Sequence, residues 1–363
     1  MQLNKILEEC WYQTHISRYA RYNHLLLSVF LFPFSIIFSI IVKVRYYLYK
    51  FHILKSYHLP VPVVIVGNIT VGGVGKTPIT KHLAHELIKS GIKVGIILRG
   101  YKANNLRARV IHASDHSVDV GDEALIYASN NIPVAIGANR YHAGLALLKE
   151  YPDIQLILSD DGLQHYRLQR DYEIAVIDKN FALGNGHLLP WGPLREPENR
   201  LKSVDAIIIN LGAETTLPGS FLQDKLSFRR RPESSTPQII THTLTLDKIY
   251  NPITNQTISI ESLQQHHITA MAAIGNPDRF FNFLKQQHIT LDKTIFFPDH
   301  YHYKIEDIPQ NSDILLVTEK DYTKLASFNN PKIWVVLVQS SFNDSRILQL
   351  ISQLSQRHTH STC

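Results

Sequence analysis

The chain has 363 residues, 44% hydrophobic and 19% charged, enough for one large or two smaller domains but with fewer charges than the roughly 25% of soluble proteins. The low charged fraction indicates some surface facing lipid, and the net charge of +6 favours an anionic partner such as nucleic acid, anionic lipid or a phosphorylated substrate. Only Cys10 and Cys363 are cysteines, which excludes a disulfide framework and a cysteine-based zinc site and suits a reducing cytoplasm.

An uncharged apolar stretch, LLLSVFLFPFSIIFSIIV, occupies residues 25–42. As a helix it reaches about 27 Å, close to the thickness of a bilayer core. Basic residues flank it and tyrosines follow it: Arg18, Arg21, Lys43, Arg45, Lys50, Lys55, Tyr46, Tyr47 and Tyr49. The stretch predicts a membrane anchor that spans or partly inserts, with the rest of the chain on the cytoplasmic face. The alternatives are a buried soluble helix and a cleaved signal peptide.

A glycine-rich segment, GNITVGGVGKTP, follows a short apolar run and occupies residues 67–78. A helical apolar pattern begins after it at Ile79. Strand, glycine loop and helix are the context of a P-loop, in which backbone N–H groups and the helix N-terminus contact nucleotide phosphates. Lys76 is predicted to reach the β and γ phosphates, and Thr77 to bind Mg²⁺. The predicted nucleotide-binding residues are Thr70, Gly72, Gly73, Val74, Gly75, Lys76 and Thr77.

The segment departs from the usual P-loop pattern, because Thr70 stands where the first glycine is expected. It resembles instead the deviant GGxGKT form. A glycine-rich turn without ligand is one alternative. A dinucleotide fingerprint is the other, and it fits worse because Pro78 occupies the place of its third glycine.

A pair of aspartates follows the apolar run IQLIL at residues 154–158. A buried strand that ends in acid matches the Walker B pattern, in which a carboxylate holds Mg²⁺ directly or through water. Asp160 and Asp161 are therefore predicted to lie beside the P-loop, at the carboxyl ends of the strands. A turn with solvated aspartates is the alternative.

Apolar strands alternate with helical patterns over most of the chain. The fold predicted is α/β: a P-loop NTPase-like, mostly parallel sheet in a three-layer sandwich, with an N-terminal membrane helix and a smaller C-terminal α/β subdomain. Strands are predicted at 63–66, 94–98, 134–136, 154–158, 174–177, 206–209, 239–244, 268–274, 314–317 and 333–338.

Three parts are predicted along the chain. They are a membrane-anchoring segment at 1–56, a P-loop kinase core at 57–228 and the C-terminal subdomain at 229–363. The polar residues 216–235, with the basic run FRRRP, are interpreted as a linker. The polar tail, 355–363, is predicted to be disordered.

Eight segments together resemble the tetraacyldisaccharide 4'-kinase family, the lipid A 4'-kinases. They keep their order and span nearly the whole chain, and the combination of DDGLQH, GPLREP and DH is specific. The segments are GNITVGGVGKTP (67–78), LRGYK (98–102), GDEALIYA (121–128), SDDGLQH (159–165), LLPWGPLREP (188–197), AIGNPDRFF (273–281), FPDHYHY (297–303) and TEKDYTKL (318–325).

The resemblance implies a kinase at the cytoplasmic face of a bacterial inner membrane. It implies transfer of phosphate from ATP, with Mg²⁺, to the 4'-hydroxyl of an acylated glucosamine disaccharide 1-phosphate lipid, giving lipid IVA. It further implies that Asp122 and His300 form an acid–base dyad in which Asp122 accepts the hydroxyl proton. Asp160 and Asp161, with Glu123 nearby, would manage Mg²⁺ and ATP. His302 is the alternative to His300 in this match.

The residues themselves support this chemistry. A sugar hydroxyl is a poor nucleophile until a base takes its proton, and phosphoryl transfer otherwise needs positioning and charge neutralisation. Lys76, Mg²⁺ and an arginine supply that neutralisation, and Arg99, Arg140 and Arg195 are unranked candidates for the arginine.

Two rival functions remain open from the residues. The first is a membrane-associated ATPase of the deviant P-loop class that acts as a nucleotide switch. A guanine-specific switch is disfavoured, because the segment TEKD at residues 318–321 carries its lysine one position late. The second is a non-catalytic scaffold with a relic P-loop, which the presence of Lys76, Thr77, Asp160 and Asp122 argues against.

Overall fold

The computed structural model describes residues 7, 10–12, 18–101, 107–214, 216, 217, 221 and 237–360. The basic run at 228–232 and the predicted boundary between residues 228 and 229 lie outside the described residues. The division into a core and a C-terminal subdomain therefore stays a prediction.

Thirteen strands make up the sheet of the described residues. The first seven are β1 (Val63–Gly67), β2 (Val94–Leu98), β3 (Arg109–Ile111), β4 (Val134–Ile136), β5 (Leu156–Asp160), β6 (Tyr172–Asp178) and β7 (Ala206–Asn210). The others are β8 (Gln238–Asn251), β9 (Gln256–Ile258), β10 (Ile268–Ala272), β11 (Lys293–Phe296), β12 (Ile314–Thr318) and β13 (Ile333–Phe342).

Nine α-helices are assigned in the described ranges. They are α1 (Arg18–Lys50), α2 (Lys76–Lys89), α3 (Ser117–Val120), α4 (Asp122–Ser129), α5 (Arg140–Glu150), α6 (Ile260–Leu263), α7 (Pro277–Gln286), α8 (Glu319–Leu325) and α9 (Arg346–His360). Short 3₁₀ helices lie at Glu198–Lys202, Ile305–Asp307 and Ala326–Phe328.

The strands form one continuous sheet in the order β11-β10-β12-β13-β8-β7-β6-β1-β5-β2-β4-β3, with β9 paired to β8. Most neighbours are parallel, and the antiparallel pairs are β3 with β4, β8 with β13 and β8 with β9. The long strand β8 joins the two predicted parts, because it pairs with β7 on one side and with β13 on the other. The predicted mostly parallel α/β fold is confirmed.

Both faces of the central strands are covered. Along β1, Val64 and Val66 pack into the cluster that holds Leu83 of α2, while Val63 and Ile65 pack into the cluster on the opposite face. Successive side chains of a strand point to opposite faces. Each buried apolar side chain contributes about 1.5–3 kcal/mol, so the strand is held from both sides. This makes the three layers of the sandwich and explains the continuous apolar run at 63–66.

The N-terminal helix is longer than the apolar stretch that predicted it. Helix α1 spans Arg18–Lys50. Its segment Val29–Lys50 is long and apolar enough to cross a membrane, and only 6% of its most apolar stretch of 18 residues is buried. Among the described residues, two side-chain hydrogen bonds join it to the core: Ser35 Oγ donates to the carbonyl of Leu188 at 2.8 Å, and Arg45 Nη2 donates to the carbonyl of Gln164 at 3.0 Å.

The expectation of a disordered tail is wrong for residues 355–360. Helix α9 continues through them to His360. Its apolar residues recur every three or four positions, so that Ile347 and Ile351 are buried in the same cluster as Leu83 of α2. Packing of this stripe on the core stabilises a helix whose last turns are polar.

Candidate functional site

The P-loop connects β1 to α2, as its sequence predicts. Gly75 caps α2 in the left-handed region, with φ of 83°, and a side chain there would collide with the amide of Asn210. Lys76 is the first residue of α2. Its Nζ donates to Asn68 Oδ1 at 3.0 Å and lies 3.3 Å from Asp161 Oδ1. The loop therefore presents one lysine and a helix N-terminus at the carboxyl edge of the sheet.

Other predicted phosphate-binding residues are held by two asparagines that sequence reasoning missed. Asn68 follows β1 and donates to both the carbonyl and the Oγ1 of Thr70, at 2.7 and 3.1 Å. Asn210 ends β7 and donates to the carbonyl of Val74 at 2.8 Å. The hydroxyl of the buried Thr70, which stands where the usual pattern has glycine, therefore has a hydrogen-bond partner. The remaining predicted members, Gly72, Gly73 and Thr77, lie on the same loop and first helical turn.

Asp160 lies within β5 rather than after it, in register with Val66 of β1. Its Oδ2 accepts from the Tyr127 hydroxyl at 2.6 Å, and its buried Oδ1 has no hydrogen-bond partner among the described residues. Burial, followed by the charge of Glu123, raises the pKa of Asp160 to about 7. Among the described residues Asp160 forms no ion pair, and the charge of Lys76 only partly offsets its burial, so a metal ion would find a free oxygen here.

Asp161 has the opposite environment. Burial alone would raise its pKa, but the charges of Lys76, Arg195 and Arg140 outweigh it and hold the pKa of Asp161 well below its usual range. Arg195 Nη1 lies 3.2 and 3.1 Å from the two oxygens of this carboxylate. Asp161 is thus anionic and forms ion pairs with two cations of the site, Lys76 and Arg195.

The three candidate arginines differ in position. Arg99 is exposed. Arg140 is buried and donates to the carbonyls of Asp160 and Asp161 at 2.7 and 2.9 Å, so it supports the strand end. Arg195 alone pairs with a carboxylate that also contacts Lys76. A fourth arginine, Arg279 of α7, was missed: its Nη1 donates to Asp178 Oδ2 at 2.7 Å beside Gly75.

Asp122 and His300 lie together although they are far apart in sequence. Asp122 begins α4, His300 follows β11 with φ of 62°, and His300 Nδ1 lies 3.0 Å from Asp122 Oδ2. An ionised carboxylate can only accept, so Nδ1 carries the proton. The side chain of His302 is exposed. The catalytic role of the pair stays a prediction, but the structure brings the two residues together.

Two lysines of α8 surround this pair, and both were missed as site residues. Lys324 Nζ lies 3.3 Å from Asp122 Oδ2, and Lys320 Nζ lies 3.4 Å from His300 Nε2 and 3.0 Å from Asp299 Oδ1. Burial opposes ionisation of Asp122, but the hydrogen bond from His300 and the charge of Lys324 outweigh it, and the pKa of Asp122 is lowered. Asp122 is therefore anionic at neutral pH.

The predicted metal ligands are Thr77, Asp160, Asp161 and Glu123. Within the described ranges, no three histidine, cysteine or acidic side chains converge enough to hold a metal ion by themselves. Mg²⁺ is usually bound through one or two carboxylates, with substrate phosphates and water completing the octahedron. The unpartnered Oδ1 of Asp160 and the hydroxyl of Thr77 are oxygen donors of the required kind, so the donor set fits Mg²⁺.

Comparisons with known proteins agree on one family. A family model described as tetraacyldisaccharide-1-P 4'-kinase matches residues 27–356. The tetraacyldisaccharide 4'-kinase of Chromobacterium violaceum is 37% identical, over 92% of this chain and 95% of that protein. The enzyme of the same name from Dechloromonas aromatica is 40% identical, over 84% of this chain and 87% of its own length.

A solved structure is also similar over most of the chain. The crystal structure of LpxK from Aquifex aeolicus in complex with ATP has a TM-score of 0.73 and 27% sequence identity. The match covers 92% of this chain and 99% of that one.

Proposed function

The chain belongs to the tetraacyldisaccharide-1-P 4'-kinase family, and we propose that Asp122, oriented by His300, is the base that activates the acceptor hydroxyl. The protein is an ATP-dependent kinase of lipid A synthesis that phosphorylates the 4'-hydroxyl of a tetraacyldisaccharide 1-phosphate. The contact of 3.0 Å between His300 Nδ1 and Asp122 Oδ2 carries the proposal for the base. Family membership favours this kinase activity over a nucleotide switch.

The order of events follows from the residues of the site. The acceptor oxygen forms a bond to the γ-phosphorus while the bond between that phosphorus and the bridging oxygen of ADP breaks. The hydroxyl proton passes to the Asp122 carboxylate, which is anionic and held in place. Glu123, the next residue, is close enough to Asp160 to raise its pKa. Asp122 therefore lies near Asp160, in the part of the site proposed to hold Mg²⁺ and the phosphates.

Positive charge for the transferring phosphate comes from three sources. Lys76, the first residue of α2, would neutralise charge on the β and γ phosphates. We infer that Arg195 is the arginine of the site, because it shares Asp161 with Lys76. Asp160, Asp161, Thr77 and Glu123 would hold Mg²⁺, which would supply further positive charge to neutralise the transferring phosphate.

A transfer assay with γ-labelled ATP tests this function. We expect label in the tetraacyldisaccharide 1-phosphate, and none when Mg²⁺ is chelated. An acceptor that lacks the 4'-hydroxyl is the matched control and is expected to remain unlabelled. ATP turnover that is equally fast with and without lipid acceptor would instead support the nucleotide switch.

We further propose that α1 inserts into the inner membrane, with the site on the cytoplasmic face. The proposal rests on the exposed apolar surface of α1, on the basic residues that follow residue 42, and on an acceptor that carries acyl chains. Membrane insertion also explains why large side chains such as Phe30, Ile37 and Ile41 are exposed in the protein alone.

Changing three exposed isoleucines of α1, Ile37, Ile40 and Ile41, to serine is expected to weaken binding to lipid vesicles by about a hundredfold. The reason is the lost transfer of three large apolar side chains into lipid. Co-sedimentation with anionic phospholipid vesicles measures the effect. The control triple variant changes the exposed Ile88, Leu145 and Leu350 to serine and is expected to bind like the unaltered protein. Equal losses in the two triple variants would contradict insertion of α1.

A further inference from the structure

A lysine of α8 is buried beside the proposed base. The side chain of Lys324 is 2% exposed, and its Nζ lies 3.3 Å from Asp122 Oδ2 and 3.8 Å from Asp321 Oδ1. Removing an ammonium group from water costs several kcal/mol unless nearby anions compensate it. The buried lysine therefore needs an anionic partner, and the two candidates are Asp122 and Asp321.

The carboxylate of Asp321 accepts hydrogen bonds from groups other than the lysine. Its Oδ1 accepts from the backbone N–H of Ala273 and from the Tyr303 hydroxyl, both at 2.9 Å. Its Oδ2 accepts from Thr318 Oγ1 at 2.7 Å. Three neutral donors already satisfy this buried carboxylate, and Lys324 lies farther from it than from Asp122. Asp122 is therefore the main partner of the lysine.

Both contacts to Asp122 fall on the same oxygen. His300 Nδ1, from the loop after β11, lies 3.0 Å from Oδ2, and Lys324 Nζ, from α8, forms an ion pair with the same oxygen at 3.3 Å. In the described part of the chain, no hydrogen-bond donor reaches Oδ1 of this carboxylate. A carboxylate that is held through one oxygen from two directions presents its other oxygen in a fixed direction.

We infer that Lys324 is a positioning residue of the 4'-kinase reaction: with His300 it fixes Oδ2 of Asp122, so that Oδ1 is the oxygen that takes the acceptor's proton. This inference rests on the proposed role of Asp122 as the base. The lysine does not touch the substrate and acts through Asp122. Because a misplacement of about 1 Å at a reacting group lowers rates by about a hundredfold, loss of the lysine acts on the chemical step.

The start of α8 is held to the core by contacts that do not involve Asp122. Glu319, at the start of α8, accepts from Lys81 Nζ of α2 at 2.5 Å and from Asn130 Nδ2, next to α4, at 2.9 Å. These contacts attach the helix to the core without touching Asp122. Severing the pair of Lys81 and Glu319 therefore loosens the same helix but leaves both contacts to Oδ2.

Lys324→Met tests the inference, since methionine keeps the length of the side chain and its packing near the Tyr303 ring. We expect kcat to fall about 10- to 100-fold with an unchanged KM for ATP. Lys324→Arg keeps the positive charge, but a planar guanidinium cannot make the same contact with Oδ2 as the ammonium group. Its kcat is therefore expected to lie between those of the unaltered enzyme and Lys324→Met. The matched control, Lys81→Met, is expected to stay within about twofold of the unaltered enzyme, well short of the hundredfold scale of a misplaced reacting group.

A double variant makes the test specific to Asp122. In an Asp122→Asn background, Lys324→Met is expected to lower the residual rate no further, because the lysine acts through the lost carboxylate. Equal losses in Lys324→Met and Lys81→Met, or the same loss in the Asp122→Asn background, would overturn the inference. If Lys324→Met does not fold by thermal melting, Lys324→Arg decides, and an unchanged kcat in that variant refutes the positioning role.

The failure of the base and the failure of the positioning residue give different results. An Asp122→Asn enzyme that retains its activity refutes the proposed base. An inactive Asp122→Asn enzyme combined with a fully active Lys324→Met enzyme refutes the lysine alone.

Discussion

Replacing Asp122 with asparagine is expected to lower kcat by about 10²- to 10⁴-fold, the usual contribution of a positioned base. Asparagine has the same shape and can still accept from His300 Nδ1, so the position of the side chain is kept while its basicity is lost. The affinity for ATP is expected to remain nearly unchanged, because in the described part of the chain the side chain of Asp122 contacts His300 and Lys324 rather than Lys76 or the loop proposed to bind ATP. Phosphate transfer from labelled ATP gives kcat, and calorimetry gives the affinity for a non-hydrolysable ATP analogue.

The control for this variant is Asp119→Asn. Asp119 is an exposed acidic residue of α3, three positions before Asp122, so the control removes the same charge from the same region of the chain. It is expected to behave like the unaltered enzyme. If Asp122→Asn retained a third or more of the activity, another group would have to be the base.

Replacing Lys76 with methionine is expected to reduce kcat/KM for ATP by about 10²- to 10³-fold. In the proposed site the ammonium group neutralises charge that grows on the transferring phosphate, and removal of one such group typically has this effect. The fold is expected to survive, because Asp161, which loses its contact with Lys76, keeps Arg195 at 3.1 Å. Initial rates over a range of ATP concentrations measure the loss, and thermal melting checks the fold.

Lys89→Met is the matched control for the P-loop lysine. Lys89 ends the same helix, is exposed, and pairs only with Glu86 among the ion pairs of the described residues. Its removal changes the net charge equally but leaves the phosphate site intact. A loss of similar size in both variants would mean that overall charge, rather than the position of Lys76, determines the binding of ATP.

Local patterns in the sequence predict the core strands well. The predicted strands at 94–98 and 134–136 coincide with β2 and β4. These strands are buried on both faces, so they read as unbroken apolar runs. The prediction at 154–158 is shifted by two residues from β5, Leu156–Asp160. Hydrophobicity alone ends a strand at its last apolar residue, whereas pairing with β1 extends β5 to the buried Asp160.

The site is less predictable, because its residues come from distant segments. Asp122 and His300 are separated by 178 positions, and the resemblance to a family, not their spacing, joined them. Lys324 lies within the segment TEKDYTKL, but nothing in the local sequence distinguishes it from an ordinary solvated lysine. Its burial follows from the packing of α8 against α4, which no local pattern reports.

Two side-chain hydrogen bonds join α1 to the part of the core that carries the site. Ser35 is bonded to the loop that leads to Arg195, and Arg45 to the turn that follows Asp161. In the proposed membrane-inserted state these bonds tie the catalytic side of the core to α1, so the depth of the helix would set the height of the catalytic groups above the bilayer. A disaccharide head group would need to rise only to this level, while its acyl chains stay among the surrounding lipids.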